Sequence, residues 1–367
     1  MAKGKVADIG ARLASARKAA GLTQEELATG VGLDRTAVSK IEAGVRGLDA
    51  LELARIAEMV RRPIAWFVTE PPPSVISRRQ ARNDVEVEAD ILLETLATDV
   101  EQLVELKLLS PREQVATGPV TDLGSAERAA NEARKLVKRP DGPIVHDLLD
   151  LVEALGLYAF VLPLAQDALE GAYVALERGG VALIQGKSPS GRRRFTLAHE
   201  LGHHFLADSY SAEWVAGSDE REKRINAFAI HFLMPRGSVT ARWRELSGPS
   251  DPRTAAIHIA AEYGASWTAV CGHLRNLSLV NDDQRWDLEQ TPPRRADFIE
   301  HSLTIPDAPA SQALPKGFEA AVVKGYRTHK LGIDRAIELL RGTLKADDLG
   351  PPHEVPLDAN VADFSPF

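Results

Sequence analysis

Phe195-Thr196-Leu197-Ala198-His199-Glu200-Leu201-Gly202-His203-His204-Phe205 places three of the chain's ten histidines within six residues. His199 and His203 are four apart, so on a helix they share one face and can present imidazole nitrogens to a single ion. Glu200 follows His199 directly, where a carboxylate can serve as a general base without being a ligand. Leu197, Leu201 and Phe205 give the same helix an apolar back for burial. Chance alone would produce the His-Glu-x-x-His spacing about once in fifty chains of this composition, so the flanking residues must carry the rest. His204 lies about 140° round the helix from His199, which predicts a place beside the ligand set or on the surface.

Outward from this stretch, helical periodicity runs over 192 to about 206, 218–234, 253–263 and 267–277. Upstream come a helix over 144–155 and strand-like runs at 157–162, 172–176 and 181–185. The fold class is therefore mainly α with a small β-sheet, an α+β arrangement. Beyond Asn281 a polar, proline-bearing stretch leads to a helical pair over 318–330 and 333–341, and the last 25 or so residues are expected to be loosely structured.

The N-terminal segment reads differently. Asp8 to Ala19 is amphipathic and stopped by Gly21, Thr23 and Glu26 form a capping box for a second helix closed by Gly32, and Asp34 can cap a third. A fourth helix is expected from about Asp49 to Val60. Gln24 opens the unit, Ala28 supplies the small residue where two helices cross, Gly32 the turn, and Val38 with Ile41 the apolar lock. Arg35, Thr36, Ser39 and Lys40 are left facing outward, with side chains suited to phosphates and base edges in a major groove.

Charge is divided in the same way. Residues 1–69 hold eleven Lys and Arg against eight acids, a net of +3 in a chain whose total is −8. That pattern fits double-stranded DNA contact at one end only, and a pseudo-palindromic site would call for a homodimer. A small helical bundle that binds protein is the plainer alternative. One cysteine, Cys271, excludes an internal disulfide and a thiolate cluster, so a metal here is held by His and carboxylates. The longest apolar stretch, 154–165, contains Gly156 and Pro163 and is too short to span a bilayer. With no hydrophobic leader at the N-terminus, a cytoplasmic protein without membrane contact is expected.

Residues 8 to 69 resemble the Xre (lambda-repressor-like) helix-turn-helix family, in which the residue matching Gln24 usually meets the DNA backbone. Residues 192–235 resemble the ImmA/IrrE metallopeptidases, which are zincins. That family pairs Phe-Thr-Leu-Ala-His-Glu-Leu-Gly-His with Glu-x-x-Ala-Asn-x-Phe-Ala and a terminal Leu-Met-Pro. This chain reads Glu222-Lys-Arg-Ile225-Asn226-Ala-Phe228-Ala229, then Leu233-Met234-Pro235, with Ile225 where Ala is usual. The resemblance implies a zinc-dependent endopeptidase that acts on few proteins, commonly a helix-turn-helix repressor or antitoxin. A peptidase fold used only as a sensor, and the toxin of a toxin-antitoxin pair, stand as alternatives. Tyr173 and His231 are candidates to stabilise an oxyanion, against the ordinary readings of a packed tyrosine and a surface histidine.

Glu220 and Glu222 compete for the third ligand position. With Glu222 as origin at 100° per residue, Ile225, Asn226, Ala229, Phe232 and Leu233 all lie within about 80° of it. Glu220 falls near 160°, beside Arg224, where a solvent-facing pair at i+4 explains it. The expected ligands are thus His199, His203 and Glu222, with Glu200 as catalytic base and Zn2+ as cofactor. The expected division is a helix-turn-helix domain over 1–70, a linker and helical spacer over 71–142, a metallopeptidase domain over 143–280 and a helical C-terminal region over 281–367.

Overall fold

The computed structural model describes residues 2–60, 64–68, 76–79, 85–110, 120–144, 146–164, 170–206, 218–247, 251–304 and 309–353. Five helices come first: α1 (Ala2–Ala19), α2 (Gln24–Val31), α3 (Arg35–Glu42), α4 (Ala50–Met59) and α5 (Ile64–Val68). They enclose a core of their own, with Leu13, Leu27, Val38, Ile41, Ile56 and Phe67 buried at its centre. Local chemistry sets their ends. The Thr23–Glu26 capping box opens α2, Gly32 closes it in the left-handed region at φ 72°, and the Asp34 carboxylate caps α3.

One sheet organises the remainder. Its strands are β1 (Ile76–Arg79), β2 (Leu157–Leu162), β3 (Gly171–Ala175) and β4 (Gly180–Gln185), in the order β1-β3-β4-β2. β2 and β4 pair in parallel, while β3 is antiparallel to both of its neighbours. Alternation divides the side chains between two cores, as a sheet covered on both faces requires. Leu157, Ala159, Val161, Tyr173, Ala182 and Ile184 face one helical layer. Tyr158, Phe160, Ala172, Val174, Val181 and Leu183 face the other.

The first layer draws on α7 (Leu123–Leu136), α8 (Leu148–Ala154), α9 (Ser190–Phe205), α10 (Ser218–Leu233), α11 (Arg236–Ser247), α12 (Pro252–Tyr263), α13 (Trp267–Asn276) and α14 (Asp282–Gln290). The second is built from α6 (Val85–Glu105), α16 (Lys316–Arg327), α17 (Ile333–Leu340) and the short α18 (Ala346–Leu349). α15 (Arg295–Glu300) touches α12.

This packing cuts across the divisions drawn from composition. The segment read as a linker and spacer contributes an edge strand, β1, and two helices that bury Leu93, Leu96 and Val100 on one side and Ala126, Ala130 and Ala133 on the other. Residues 318–340 complete the same outer layer from the C-terminal side. Asp99, on α6, is buried and accepts from both Arg335 and Arg341 at 2.6 Å, so the two segments are also joined by charge. The helix expected over 144–155 begins only at Leu148, because Asp147 sits in the left-handed region at φ 60°. The polar stretch after Asn281 forms α14 and α15, with Asn281 and Gln284 capping the former. Of the last 25 or so residues, expected to be loosely structured, 346–349 instead form α18 with Leu349 buried against the second layer, and 354–367 lie outside the described residues.

Two buried arginines brace the layer that holds the histidines. Arg134 donates to the carbonyls of Pro140, Asp141, Gly142 and Phe232, tying the end of α7 to α10. Arg194, on α9, donates to the carbonyls of Ile144 and Tyr263. Burial pushes each guanidinium down to about 10, which leaves both charged at neutral pH.

Candidate metal centre

α9 runs beneath β3 and β4 and buries every residue from Thr196 to Phe205. His199 is fully buried, and its Nδ1 lies 3.0 Å from Oδ1 of Asn226 on α10. An amide oxygen only accepts, so Nδ1 carries the proton and Nε2 presents its lone pair. That Nε2 lies 3.2 Å from Nε2 of His203. Glu222, on α10, completes the group, with Oε2 3.4 Å from His199 Nε2 and Oε1 3.6 Å from His203 Nε2.

All three donor groups fall within 4.8 Å of one another. A tetrahedral zinc with ligands at about 2.0–2.1 Å sets those ligands about 3.3 Å apart, and the three separations bracket that edge. The Nε2 atoms of His199 and His203 face each other across 3.2 Å, a separation that a shared proton or a cation between them accounts for. The residues therefore fit a zinc ion. Glu222 stands at the rim with 39% of its side chain exposed, whereas both imidazoles are buried.

Glu200 is fully buried on the β3 side of α9. A Cβ built on Gly171 of β3 would come within 2.5 Å of both Glu200 Oε1 and Thr196 Cγ2, so the missing side chain is what lets helix and strand approach. Tyr173, two residues along the same strand, lies 6.4 Å from His203, ring centroid to centroid, with the rings stacked. β3 thus runs alongside both the carboxylate and one of the histidines.

Several expectations change on this geometry. His204 is not at the surface. It is fully buried, with Nε2 3.2 Å from the Leu155 carbonyl and Nδ1 3.2 Å from the Tyr173 hydroxyl. Burial pushes its pKa down to about 4, so the ring is neutral and takes the hydroxyl proton of Tyr173 as acceptor. Tyr173 is buried, as a packed strand tyrosine would be, and its hydroxyl meets that histidine. His231 is also buried, 3.5 Å from Glu127 and against the ring of His273, because α7, α10 and α13 converge there. Glu220 is exposed, but its partner is Lys223 at 2.7 Å rather than Arg224, whose guanidinium reaches the Thr121 carbonyl.

In the N-terminal unit, Arg35, Thr36, Ser39 and Lys40 are exposed on α3 while Val38 and Ile41 are buried. Gln24 is held differently. Its amide donates to Glu42 Oε2 at 2.7 Å, and Glu42 also takes the Arg17 guanidinium at 2.6 Å. This cross-helix trio has no local signature, since its members lie on three helices.

Residues 13–67 match the family model described as helix-turn-helix, and residues 152–275 match the one described as the IrrE N-terminal-like domain of the M78 peptidases. The chain joins a helix-turn-helix domain to an IrrE N-terminal-like domain. The latter match spans β2 through α13 and includes His199, Glu200, His203 and Glu222. A search of curated proteins finds no match. Among solved structures, the chain is similar to Bacillus thuringiensis PlcR in complex with the peptide PapR7 and DNA, at 11% identity over 94% of each chain. The TM-score of 0.19 is too low to carry any argument about fold or function. Among the described residues, no helix is long and apolar enough to cross a membrane.

Proposed function

We propose that the chain is a DNA-binding regulator whose IrrE-like domain is a zinc-dependent endopeptidase, acting on a helix-turn-helix repressor or antitoxin in stress or phage response. The observation that carries this reading is the convergence of His199, His203 and Glu222 beside a buried Glu200. His199, His203 and Glu222 would hold the metal. Zinc bound there supplies Lewis acidity, which polarises a carbonyl and makes water a better nucleophile. Asn226 fixes the His199 tautomer, and the carbonyl and hydroxyl around His204 lock the helix that presents both imidazoles. Glu200 takes a proton from the attacking water and delivers it to the nitrogen of the leaving amine. At the other end of the chain, Arg35 and Lys40 meet phosphates while Thr36 and Ser39 reach base edges, in a homodimer on a two-fold site.

The test incubates purified full-length protein and zinc with the product of the adjacent gene. A discrete cut in the native reaction that vanishes in Glu200→Gln is expected. A cut that survives in Glu200→Gln, or none in either reaction, removes the peptidase reading and leaves the metal group as a structural or sensing site.

A further inference from the structure

We infer that α15 is a removable cover over a cavity beside the metal group, tied to α12 in part through the facing rings of His258 and His301, and released when those rings take up protons. What the release does for substrate access rests on the peptidase reading, whereas the release itself does not.

α9, α12, α13 and the chain through α15 enclose a cavity of about 630 Å³. Phe195, Ala260 and Trp267 form three of its walls, and Pro293 with Phe298 of α15 forms the fourth. The Phe195 ring also lies 6.4 Å from the ring of His199, so one side chain separates the cavity from a proposed ligand. On the strand side, Glu170 lines the cavity immediately before Gly171, whose neighbour is the Glu200 carboxylate.

α15 covers this space without being built into it. None of its six residues is buried, Phe298 is half-buried and Ile299 is 69% exposed. An element with so little apolar burial has little hydrophobic free energy to hold it in place and belongs to the low-stability end of a structure. Polar ties to α12 hold it instead. At one end, Arg253 donates to the two Asp297 oxygens at 3.2 and 3.0 Å and to the Thr291 carbonyl at 3.0 Å. At the other, His258 meets His301, which follows the last turn of α15, with ring centroids 5.4 Å apart. α15 also lies beyond residues 152–275, so the cover is supplied from outside the matched domain.

The second tie depends on charge. Among the described residues, His258 Nδ1 is buried without a hydrogen-bond partner. Glu262, one turn along α12, is the carboxylate that faces it, and Glu262 already takes the Arg242 guanidinium of α11 through both oxygens, at 2.9 and 3.0 Å. Burial first, and the facing His301 next, hold the His258 pKa below the usual histidine range, with Arg242 adding to them and Glu262 opposing. A docked ring with the lower pKa makes docking complete above about pH 6.5, the ordinary value for a freed ring, and weaker as the pH falls. Two imidazolium rings beside Arg242 then repel, and the Arg253–Asp297 pair must hold α15 against that repulsion.

The test follows hydrogen exchange of the full-length chain by mass spectrometry at pH 7.5 and 5.5 without added zinc, each rate divided by the intrinsic rate at that pH. The reporters are the N–H groups of His301, Ser302 and Leu303, which donate to the carbonyls of Asp297, Ile299 and Phe298. In the parent, their protection should fall at least about fivefold at the lower pH, while that of α13 stays within about twofold. His258→Gln and His301→Gln should each hold the fall under about twofold, because glutamine is uncharged at both pH values. Arg253→Met, which cuts the other tie without touching α15, should lower protection at pH 7.5 by at least about fivefold. Absence of protection in the parent at pH 7.5 overturns the inference, as does a fall that α13 shares or that both glutamine variants retain. An Arg253→Met chain as protected as the parent also overturns it. If one glutamine variant fails to fold, the other decides. A missing Glu200-dependent cut with this exchange pattern intact would instead remove the peptidase reading and leave the cover.

Discussion

α3 and α9 carry the polar residues on which the two proposed activities rest, and they carry them in opposite ways. On α3, Arg35, Thr36, Ser39 and Lys40 are exposed over a buried Val38 and Ile41. On α9, Arg194, Thr196, His199, Glu200, His203 and His204 are all buried. Exposed polar groups keep their hydration and wait for a ligand at little cost. A buried row must be answered group by group, and here Asn226 answers His199, the Leu155 carbonyl and Tyr173 answer His204, and the carbonyls of Ile144 and Tyr263 answer Arg194. Changes on α3 should therefore alter binding and leave folding alone, while changes around α9 should alter chemistry, stability or both.

The largest expected effect is on α9 and its partner. Glu200→Gln should keep about one zinc per chain by elemental analysis and lose about a thousandfold in cleavage rate. His199→Ala and Glu222→Gln should each weaken zinc binding by more than about a hundredfold, beyond what loss of an outer-shell partner does. Glu220→Gln should stay within about twofold, since Glu220 is exposed and pairs with Lys223. Similar zinc loss in Glu220→Gln and Glu222→Gln would mean that α10 presents another face to the histidines.

Next comes the bracing. Arg134→Met strands four carbonyls that now share one guanidinium, and should cost about 3 kcal/mol in chemical denaturation. A change under about 0.5 kcal/mol, the size expected for a surface site such as Arg35→Ala, would erase the contrast between the exposed face of α3 and the buried layer around α9.

A buried histidine elsewhere in the same layer makes a smaller, pH-dependent contribution. Burial, together with the neighbouring His231, pushes His273 down to about 3, so the folded chain holds it neutral while the unfolded chain protonates it near 6.5. A folded pKa below the unfolded one gives stability that is complete above about pH 6.5 and lost as the pH falls toward 3. Between pH 6.5 and 5, where carboxylates remain ionised, His273→Gln should remove on the order of 1–2 kcal/mol of the pH dependence of unfolding. An unchanged slope would mean that the ring is not held neutral.

The smallest effect belongs to α3. Arg35→Ala and Lys40→Ala should each weaken binding to the chain's own promoter DNA by about 1 kcal/mol, roughly fivefold, and lower the salt dependence by about one unit of slope. Gel retardation at two salt concentrations reads both, and the melting temperature should not move. If neither substitution shifts the midpoint, α3 is not the face that meets DNA.

What was legible in the sequence was what neighbours in the chain determine. Thr23 with Glu26, Gly32 and Asp34 announce helix ends because caps act within four residues, and His199 with His203 announce a shared face because a helix repeats every 3.6. Asn281 and Gln284 carried the same kind of signal for α14, and it was masked by the prolines and charges that follow. β1 was not legible, because four residues of no marked pattern become a strand only when β3 is there to pair with them. The burial of His204, His231, Arg134 and Arg194 was hidden for a related reason. A polar side chain goes inside only where distant carbonyls or carboxylates meet it, and those partners are set by the packing of α7, α10 and the sheet.

The sheet's order in space differs from its order in time. β3 and β4 are joined by a short turn and can close as a hairpin as soon as both exist, and β2 precedes them closely in the chain. β1 leaves the ribosome first and must wait for β3, roughly ninety residues behind it. At about 5–20 residues per second, residues 76–79 spend about five to twenty seconds of synthesis without the edge that will receive them, with the helix-turn-helix unit already complete ahead of them. The helix-turn-helix end can thus fold before the strand that follows it in the chain has found its place in the sheet.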